Sequence, residues 1–302
     1  MQILGYDKPL YILPFDHRAT FASLFNLASI NDLDNIQKHQ IREFKMLIYK
    51  GFKKALYLGV PKDAGAILCD EEFSQEVLID AKINGFLTIL TTEKSGENQF
   101  KFQYPDSFED HILSIHPTFT KALVRYNPKD DGDVKLSQKK NLKILSDFTH
   151  SEGLKFLLEV LILPKAEQLL DVSGREEYDR KLRPKLSVEV INEFQDFGIE
   201  PDVWKLEGFE EDKDYELILK AIKAETREKV GLVILGRGAG EEKVEEWLKI
   251  GSGIEGVIGF AVGRTVFWDA IEKFYKGRIG KAEVIDSVSS NFYRFYQIFA
   301  KK

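Results

Sequence analysis

Three charged residues interrupt stretches that otherwise have the apolar composition of buried β-strands: Lys205 in VWKLEG, Glu159 in FLLEVLI and Arg125 in KALVRYN. Burying a lysine ammonium is costly unless its pKa falls, and burial or a nearby cation lowers a lysine pKa. A neutral lysine amine attacks carbonyl groups to form a Schiff base, and a neighbouring glutamate can move the protons. The three residues therefore point to carbonyl chemistry. A structural ion network is the alternative for Glu159 or Arg125 taken alone.

The alternation of side chains along a strand places Lys205 and Glu207 on one face, opposite Trp204 and Leu206. Because the bulky apolar pair suits packing against helices, we expect Lys205 and Glu207 to point into the sheet interior. If the three runs named above are neighbouring strands about 4.8 Å apart, their charged residues form one inward-facing arc.

Charged residues also follow the first two apolar runs, with Asp16 and Arg18 ending LYILPFDHR and Asp70 ending GAILCD. Carboxylates at such positions can orient substrate hydroxyl groups or bind a divalent metal ion. The sequence has no HxH or HExxH spacing, and His17 is the one histidine of five near a strand end. We therefore predict neither a metal nor another cofactor, and we interpret His17 as a local hydrogen-bonding residue.

Two glycine-rich turns follow the seventh and eighth runs, and each carries an arginine. They are LGRGAG, with Gly236, Arg237 and Gly238, and GFAVGRT, with Gly263 and Arg264. Glycine lets the backbone approach an anion closely, and arginine can bind phosphate through two hydrogen bonds. We predict that these turns bind phosphate, although a carboxylate or sulfonate would satisfy the same chemistry. The GxGxxG spacing of a dinucleotide-binding fold is absent.

Eight strand-length apolar runs, mostly separated by stretches with amphipathic helix spacing, must position these residues. The runs are Leu10–Asp16, Gly65–Asp70, Phe86–Thr92, Lys121–Asn127, Phe156–Ile162, Val203–Gly208, Gly231–Gly236 and Ile254–Val262. Continuous apolar strands that alternate with helices indicate a parallel sheet built from right-handed βαβ units. We predict an α/β protein with a single (β/α)8 TIM barrel over residues 1–302 and an extra C-terminal helix at about Ala282–Ala300. A doubly wound open sheet is the alternative. The charged insert Asp171–Arg183 is predicted to be a solvated loop or a lid.

Composition excludes several classes of protein. With 43% hydrophobic and 30% charged residues, the 302-residue chain has the composition of a folded globular protein. Its net charge of −6 argues against a nucleic-acid partner. The sequence has neither a secretory signal nor a run near the roughly 18 apolar residues of a membrane span, and its single cysteine, Cys69, suits a reducing compartment. We expect a cytoplasmic protein without a membrane partner.

Taken together, the segments LYILPFDHR, LLEVLILP, DVWKLEG, LGRGAG and IGFAVGRTVFW resemble the class I (Schiff-base) aldolase superfamily that contains tagatose 1,6-bisphosphate aldolase. The sequence looks most similar to the aldolase-like C-terminal domain of bacterial myo-inositol catabolism proteins that also carry a kinase. The resemblance implies a lyase in which Lys205 forms the imine and Glu159 transfers protons. It implies that Asp16 and Arg18 face substrate and that the two glycine-rich turns hold phosphate. Arg125 falls where tagatose-bisphosphate aldolases carry a lysine, which implies a binding or electrostatic role.

The substrate so implied is a phosphorylated keto sugar or sugar acid. Within the inositol pathway it is 2-deoxy-5-keto-gluconate 6-phosphate, cleaved to dihydroxyacetone phosphate and malonate semialdehyde. One alternative is a tagatose 1,6-bisphosphate-type aldolase, and another is a sugar-phosphate isomerase or epimerase that uses Glu159 and Glu207 as acid–base groups. A non-catalytic sugar-phosphate-binding protein is a third, although a binder has no need for a desolvated lysine. Barrels of this superfamily often assemble, so a homo-oligomer is consistent with the resemblance.

Overall fold

Eight parallel strands close into a barrel in the computed structural model, which describes residues 4–236 and 240–300. The strands are β1 Leu10–Pro14, β2 Gly65–Cys69, β3 Leu87–Thr91, β4 Phe119–Arg125, β5 Lys155–Leu161, β6 Val203–Glu207, β7 Gly231–Leu235 and β8 Val257–Ala261. Each strand pairs with its neighbours in sequence, and β8 pairs with β1. The predicted (β/α)8 TIM barrel is therefore confirmed, and the open-sheet alternative is wrong.

Helices surround the barrel. They are α1 Ala19–Ala22, α2 Asn35–Leu58, α3 Glu71–Ile83, α4 Phe108–Ile115, α5 Gly132–Ser151, α6 Ala166–Asp171, α7 Arg175–Glu177, α8 Arg183–Asp196, α9 Asp212–Ile222, α10 Glu241–Gly251, α11 Arg264–Tyr275 and α12 Lys281–Ala300. The expected C-terminal helix is thus present as α12, where Tyr296 packs edge-on against Tyr11 of β1. Within residues 4–236 and 240–300, no helix combines the length and the apolar character that crossing a membrane requires.

The barrel interior is divided into an apolar layer and a charged layer. The apolar layer consists of Leu10, Ile12, Ala66, Leu68, Ile89, Phe119, Leu157, Val203, Val233 and Ala261. Because side chains alternate along a strand, the next inward residues after Phe119, Leu157 and Val203 are Lys121, Glu159 and Lys205. The apolar layer therefore lies directly beneath a cluster of charged side chains.

The charged insert between β5 and α8 is helical and packed, so the prediction of a solvated loop is wrong. It contains α6, α7 and a π-helical turn at Tyr178–Leu182, and the Tyr178 side chain is fully buried. Asp179 accepts hydrogen bonds from Arg175 at 2.8 Å and from Arg183 at 3.0 Å, each four residues away. Pairing along one helix face neutralises the charges that suggested a loop.

At the opposite end of the barrel, Asp202 organises the backbone. Its buried carboxylate accepts hydrogen bonds of 2.8 Å from the backbone N–H groups of Gly5 and Phe156 and from the Lys155 ammonium, and it lies 3.0 Å from His150 Nε2. Burial would raise the pKa of this carboxyl, but its hydrogen bonds to His150, Lys155 and Phe156 lower it overall. Asp202 therefore binds the N-terminal segment to β5 as a carboxylate.

We expect Asp202→Ala to lower the free energy of unfolding by about 3 kcal/mol, because it leaves several buried donors without an acceptor. Asp202→Asn keeps one acceptor and should cost less. Urea unfolding monitored by circular dichroism measures both. The control is Asp147→Ala, since Asp147 pairs with Lys143 on the exposed face of α5 and should contribute little. An Asp202→Ala midpoint equal to that of wild type would contradict the assignment.

Candidate active site

Lys205 and Glu159 lie opposite each other on β6 and β5, as the sequence pattern predicts. The two residues are register partners, and Lys205 Nζ donates to Glu159 Oε2 at 2.8 Å. Both side chains are almost completely buried. Burial alone would raise the pKa of Glu159, but the neighbouring Lys121 and Lys205 lower it overall. Glu159 is therefore a carboxylate in direct contact with the amine of Lys205.

A second lysine, Lys121, lies at the centre of the same cluster. Its Nζ is 3.0 Å from both Asp16 Oδ2 and Glu159 Oε2, and it also contacts Glu93 Oε1. Burial would lower the pKa of Lys121, but Asp16, Glu159 and Glu93 together raise it well above its ordinary value. The pKa of Asp16 is lowered in turn because Lys121 outweighs the effect of burial. Lys121 is thus a permanent ammonium that shares Glu159 with Lys205.

The sequence pattern does not single out Lys121, and it gives Arg125 the place that Lys121 occupies. The predicted fourth run begins at Lys121, whereas β4 begins two residues earlier at Phe119. Leu123, not Arg125, lies opposite Glu159, so Arg125 is one inward position nearer the mouth of the barrel. Counting back from Arg125 in steps of two would have placed Lys121 on the same inward face.

The cluster forms the floor of a cavity of about 350 Å³ at the C-terminal ends of the strands. Predicted site residues that line it are Asp16, Arg18, Arg125, Glu159, Lys205, Gly236, Gly263 and Arg264. Arg237 and Gly238 lie outside the described residues. Lys121, Glu93 and Lys94 also line the cavity, although the sequence pattern did not single them out for the site. The site is therefore wider than the predicted arc and includes the segment after β3.

Asp70 does not line this cavity, which corrects the prediction that it belongs to the site. Its buried carboxylate forms an ion pair with Lys45 of α2. It also accepts a hydrogen bond of 2.8 Å from the Phe73 backbone N–H at the beginning of α3. A carboxylate at a helix N-terminus satisfies backbone donors that would otherwise be unpaired. Asp70 therefore joins two outer helices instead of facing a ligand.

Glu207 does not line the cavity either, which corrects the prediction that it contacts the substrate. Arg183 of α8 donates to the backbone carbonyls of Glu207 at 3.3 Å and Gly208 at 2.8 Å, so the helical insert covers the end of β6. Burial raises the pKa of Glu207 to about 7, and Arg183 opposes that effect only in part. Alternation places Glu207 on the inward face of β6, but the charges that act on its carboxyl are those of Arg183, Asp179 and Arg175 in and beside the insert, and it does not line the cavity.

The eighth turn has the geometry of an anion site. Gly263 immediately precedes α11, and a Cβ at this position would lie 2.3 Å from the Pro14 carbonyl oxygen, so only glycine fits. Arg264 is exposed at the first position of the twelve-residue helix, and no carboxylate within residues 4–236 and 240–300 forms an ion pair with it. A helix N-terminus and an uncompensated guanidinium both favour a bound anion.

His17 adjoins this turn and differs from its predicted role. Its Nδ1 lies 3.8 Å from Asp16, too far for a hydrogen bond, and the structure provides no partner for this atom among the residues it describes. Burial lowers the pKa of His17 to about 4, with Arg264 adding to the effect. The imidazole is therefore a neutral part of the cavity wall.

A protein-family model described as an uncharacterized protein conserved in bacteria, DUF2090, matches residues 6–302. The chain belongs to the DUF2090 family. A search of curated protein sequences found no match to this DUF2090 chain.

Three solved structures share the fold of this DUF2090 chain at low sequence identity. Cgl0159 of Corynebacterium glutamicum is 15% identical with a TM-score of 0.57, over 97% of this chain and 88% of that one. A fructose-bisphosphate aldolase of Slackia heliotrinireducens is 13% identical with a TM-score of 0.55, over 97% and 85%. The YdjI aldolase of Escherichia coli K12 is 13% identical with a TM-score of 0.52, over 84% and 87%. These three structures therefore share the TIM-barrel fold of the DUF2090 chain.

Proposed function

We propose that this protein is a class I aldolase, a carbon–carbon lyase that works through a Schiff base on Lys205. The observation that carries the proposal is the 2.8 Å contact between Lys205 and Glu159, with the charged Lys121 beside them on the floor of the cavity. A lysine paired with a carboxylate can lose its proton to that carboxylate and return it later in the reaction. The C-terminal face of a TIM barrel is also where such enzymes place their chemistry.

The reaction begins when Glu159 accepts a proton from Lys205, whose neutral amine then attacks the substrate ketone. Glu159 returns the proton to the carbinolamine hydroxyl, which leaves as water and gives the iminium ion. The adjacent carbon–carbon bond breaks, its electrons move into the iminium to form an enamine, and Asp16 or Glu159 accepts the proton of the substrate hydroxyl. Protonation of the enamine carbon and addition of water then release the second product and restore Lys205.

Lys121 supplies a fixed positive charge throughout these steps. Its ammonium contacts Asp16 and Glu159, the two carboxylates that exchange protons with the substrate. A preorganised cation stabilises the negative charge that develops on the substrate oxygen. We therefore assign Lys121 an electrostatic role, and Lys205 alone the covalent one.

The proposed substrate is a phosphorylated keto sugar or sugar acid. We assign its phosphate to Gly263 and Arg264 of the eighth turn and to the seventh turn, with Gly236, Arg237 and Gly238. Arg125 lies near the mouth, where it can contact a second anionic group. The sequence resemblance to the inositol-catabolism proteins favours 2-deoxy-5-keto-gluconate 6-phosphate, cleaved in the cytoplasm to dihydroxyacetone phosphate and malonate semialdehyde. Tagatose 1,6-bisphosphate is the alternative. The isomerase hypothesis is weaker because Glu207, its second acid–base group, does not line the cavity.

Borohydride trapping tests the Schiff base directly. We expect intact-mass spectrometry to show a stable mass gain when wild type is incubated with dihydroxyacetone phosphate and borohydride, and none for Lys205→Ala. Peptide mapping should place the adduct on Lys205. The absence of an adduct on wild type with either dihydroxyacetone phosphate or a cleavable keto-sugar phosphate would refute the mechanism.

A further inference from the structure

The segment between β3 and α4 folds into a short hairpin, residues 92–103, beside the cavity. Glu93 forms an antiparallel bridge with Phe102. The backbone N–H of Lys94 donates to Lys101 O, and that of Gln103 donates to Thr92 O, both at 2.8 Å. Residues of this β3–α4 hairpin that line the cavity are Glu93, Lys94, Ser95, Gly96, Glu97 and Gln99. The hairpin is therefore one wall of the candidate active site.

Arg18 binds the base of this hairpin on both of its strands. Its Nη1 donates to the Gln103 side-chain oxygen at 2.8 Å, and its Nη2 donates to the Glu93 backbone carbonyl. Arg18 is 4% exposed, so the guanidinium is enclosed, and among the described residues only its Nε has no hydrogen-bond partner. Arg18 lies in the segment between β1 and α1, whereas Lys121 and Arg125, which also contact the hairpin, belong to β4.

The base of the hairpin is also connected to Lys121. The Glu93 residue whose carbonyl binds Arg18 places its carboxylate on the Lys121 ammonium. Thr92 donates to the Lys121 backbone carbonyl through both its N–H and its Oγ1, at 2.9 Å each. A displacement of the hairpin base would therefore remove one of the carboxylates that surround Lys121.

The tip of the hairpin has a weaker attachment. Arg125 Nη1 donates to the Glu97 carbonyl at 3.0 Å, and Gly96 at the tip has a positive φ of 83°. The Arg125 side chain is only partly buried, whereas Arg18 is enclosed. Of the two arginines, the one at the base, with two hydrogen bonds and little solvent exposure, therefore holds the hairpin more firmly.

We propose that Arg18 is a positioning residue, which fixes the β3–α4 hairpin and thereby holds the Glu93 carboxylate against Lys121, and that it is not a ligand of the substrate. This differs from the role that the sequence resemblance implies for Arg18. Two experiments test this proposal. Steady-state kinetics rest on the proposed aldolase function, whereas hydrogen–deuterium exchange does not.

Hydrogen–deuterium exchange of Arg18→Met tests the structural part. We expect the amides of residues 92–103 to exchange roughly tenfold faster than in wild type, because the local opening becomes easier, while α12 is unchanged. Arg278→Met is the matched control, since Arg278 is exposed in the turn before α12. Gln103→Leu removes one acceptor of Arg18 and should give a smaller increase in the same peptides, which keeps the test usable if Arg18→Met folds poorly. Exchange of residues 92–103 at the wild-type rate in both variants would overturn the proposal.

Steady-state kinetics on a cleaved keto-sugar phosphate test the functional part. A positioning role predicts that Arg18→Met lowers kcat by roughly tenfold or more while KM changes little, because the geometry around Lys121 is disturbed. A substrate ligand would instead raise KM with kcat retained, and that outcome would overturn the proposal. If wild type forms no adduct and cleaves no such substrate, the aldolase function fails, and the exchange experiment alone decides the role of Arg18.

Discussion

Replacing Lys205 with arginine is expected to lower kcat/KM at least about 10⁴-fold and to abolish the borohydride adduct, because a guanidinium keeps the charge but forms no imine. Lys121→Arg is the matched variant on the neighbouring strand. It preserves the cation that contacts Asp16, Glu93 and Glu159, so it should still give the adduct on Lys205. Its larger planar group should disturb the geometry and lower kcat by roughly 10- to 100-fold.

The two variants together distinguish the two lysines of the cluster. Adduct formation is measured by intact mass and peptide mapping, and turnover by release of dihydroxyacetone phosphate. If the adduct persists in Lys205→Arg and is absent from Lys121→Arg, then Lys121 forms the imine and Lys205 supplies the fixed charge. Equal activity of Lys205→Arg and wild type, with no adduct on Lys121 in either protein, would exclude imine chemistry altogether.

Lys121→Met is expected to have the largest effect on stability. It removes the cation shared by three buried carboxylates, and breaking a buried ion pair by removing one partner typically costs about 3–5 kcal/mol. We expect a loss of that size in the free energy of unfolding near pH 8, measured by urea unfolding. Lys273→Met is the control, because Lys273 pairs with Asp269 on the exposed surface of α11 and should contribute little.

The loss in Lys121→Met should also depend on pH with a defined sign. In wild type the pKa values of Asp16 and Glu159 are lowered by Lys121, so their stabilising contribution is present above the ordinary carboxyl range and is lost as the pH falls. Without Lys121, Lys205 still lowers both pKa values, but burial has the larger effect, so we expect the pKa values to rise and the folded variant to bind protons more readily than the unfolded chain. Its stability should therefore rise as the pH falls from 8 to 5, and the difference from wild type should shrink. A constant difference between pH 5 and 8 would show that Lys121 does not neutralise these carboxylates.

The sequence by itself determined the barrel and the pairing of Lys205 with Glu159 inside it. Continuous apolar runs separated by amphipathic stretches identify buried parallel strands, and their number predicts closure. Glu159 and Lys205 could be predicted because each has apolar residues directly before and after it in its strand, so alternation places them on the inward face. The arginine at the start of α11 could be predicted for a similar reason, because glycine before a helix is a local signal.

Only the tertiary structure decided which charged side chains contact each other. Asp70 looks like a mouth residue in sequence, yet Lys45, from a helix 25 positions earlier, binds its carboxylate outside the barrel. Glu207 points inward as its strand requires, but a helical insert with its own internal ion pairs covers it. Lys121 reaches Asp16 across 105 residues of sequence and Glu93 through a hairpin with no strand-like pattern. Local periodicity fixes the face on which a side chain lies, whereas strand register, side-chain length and loop packing fix its partners, and those depend on contacts between distant parts of the chain.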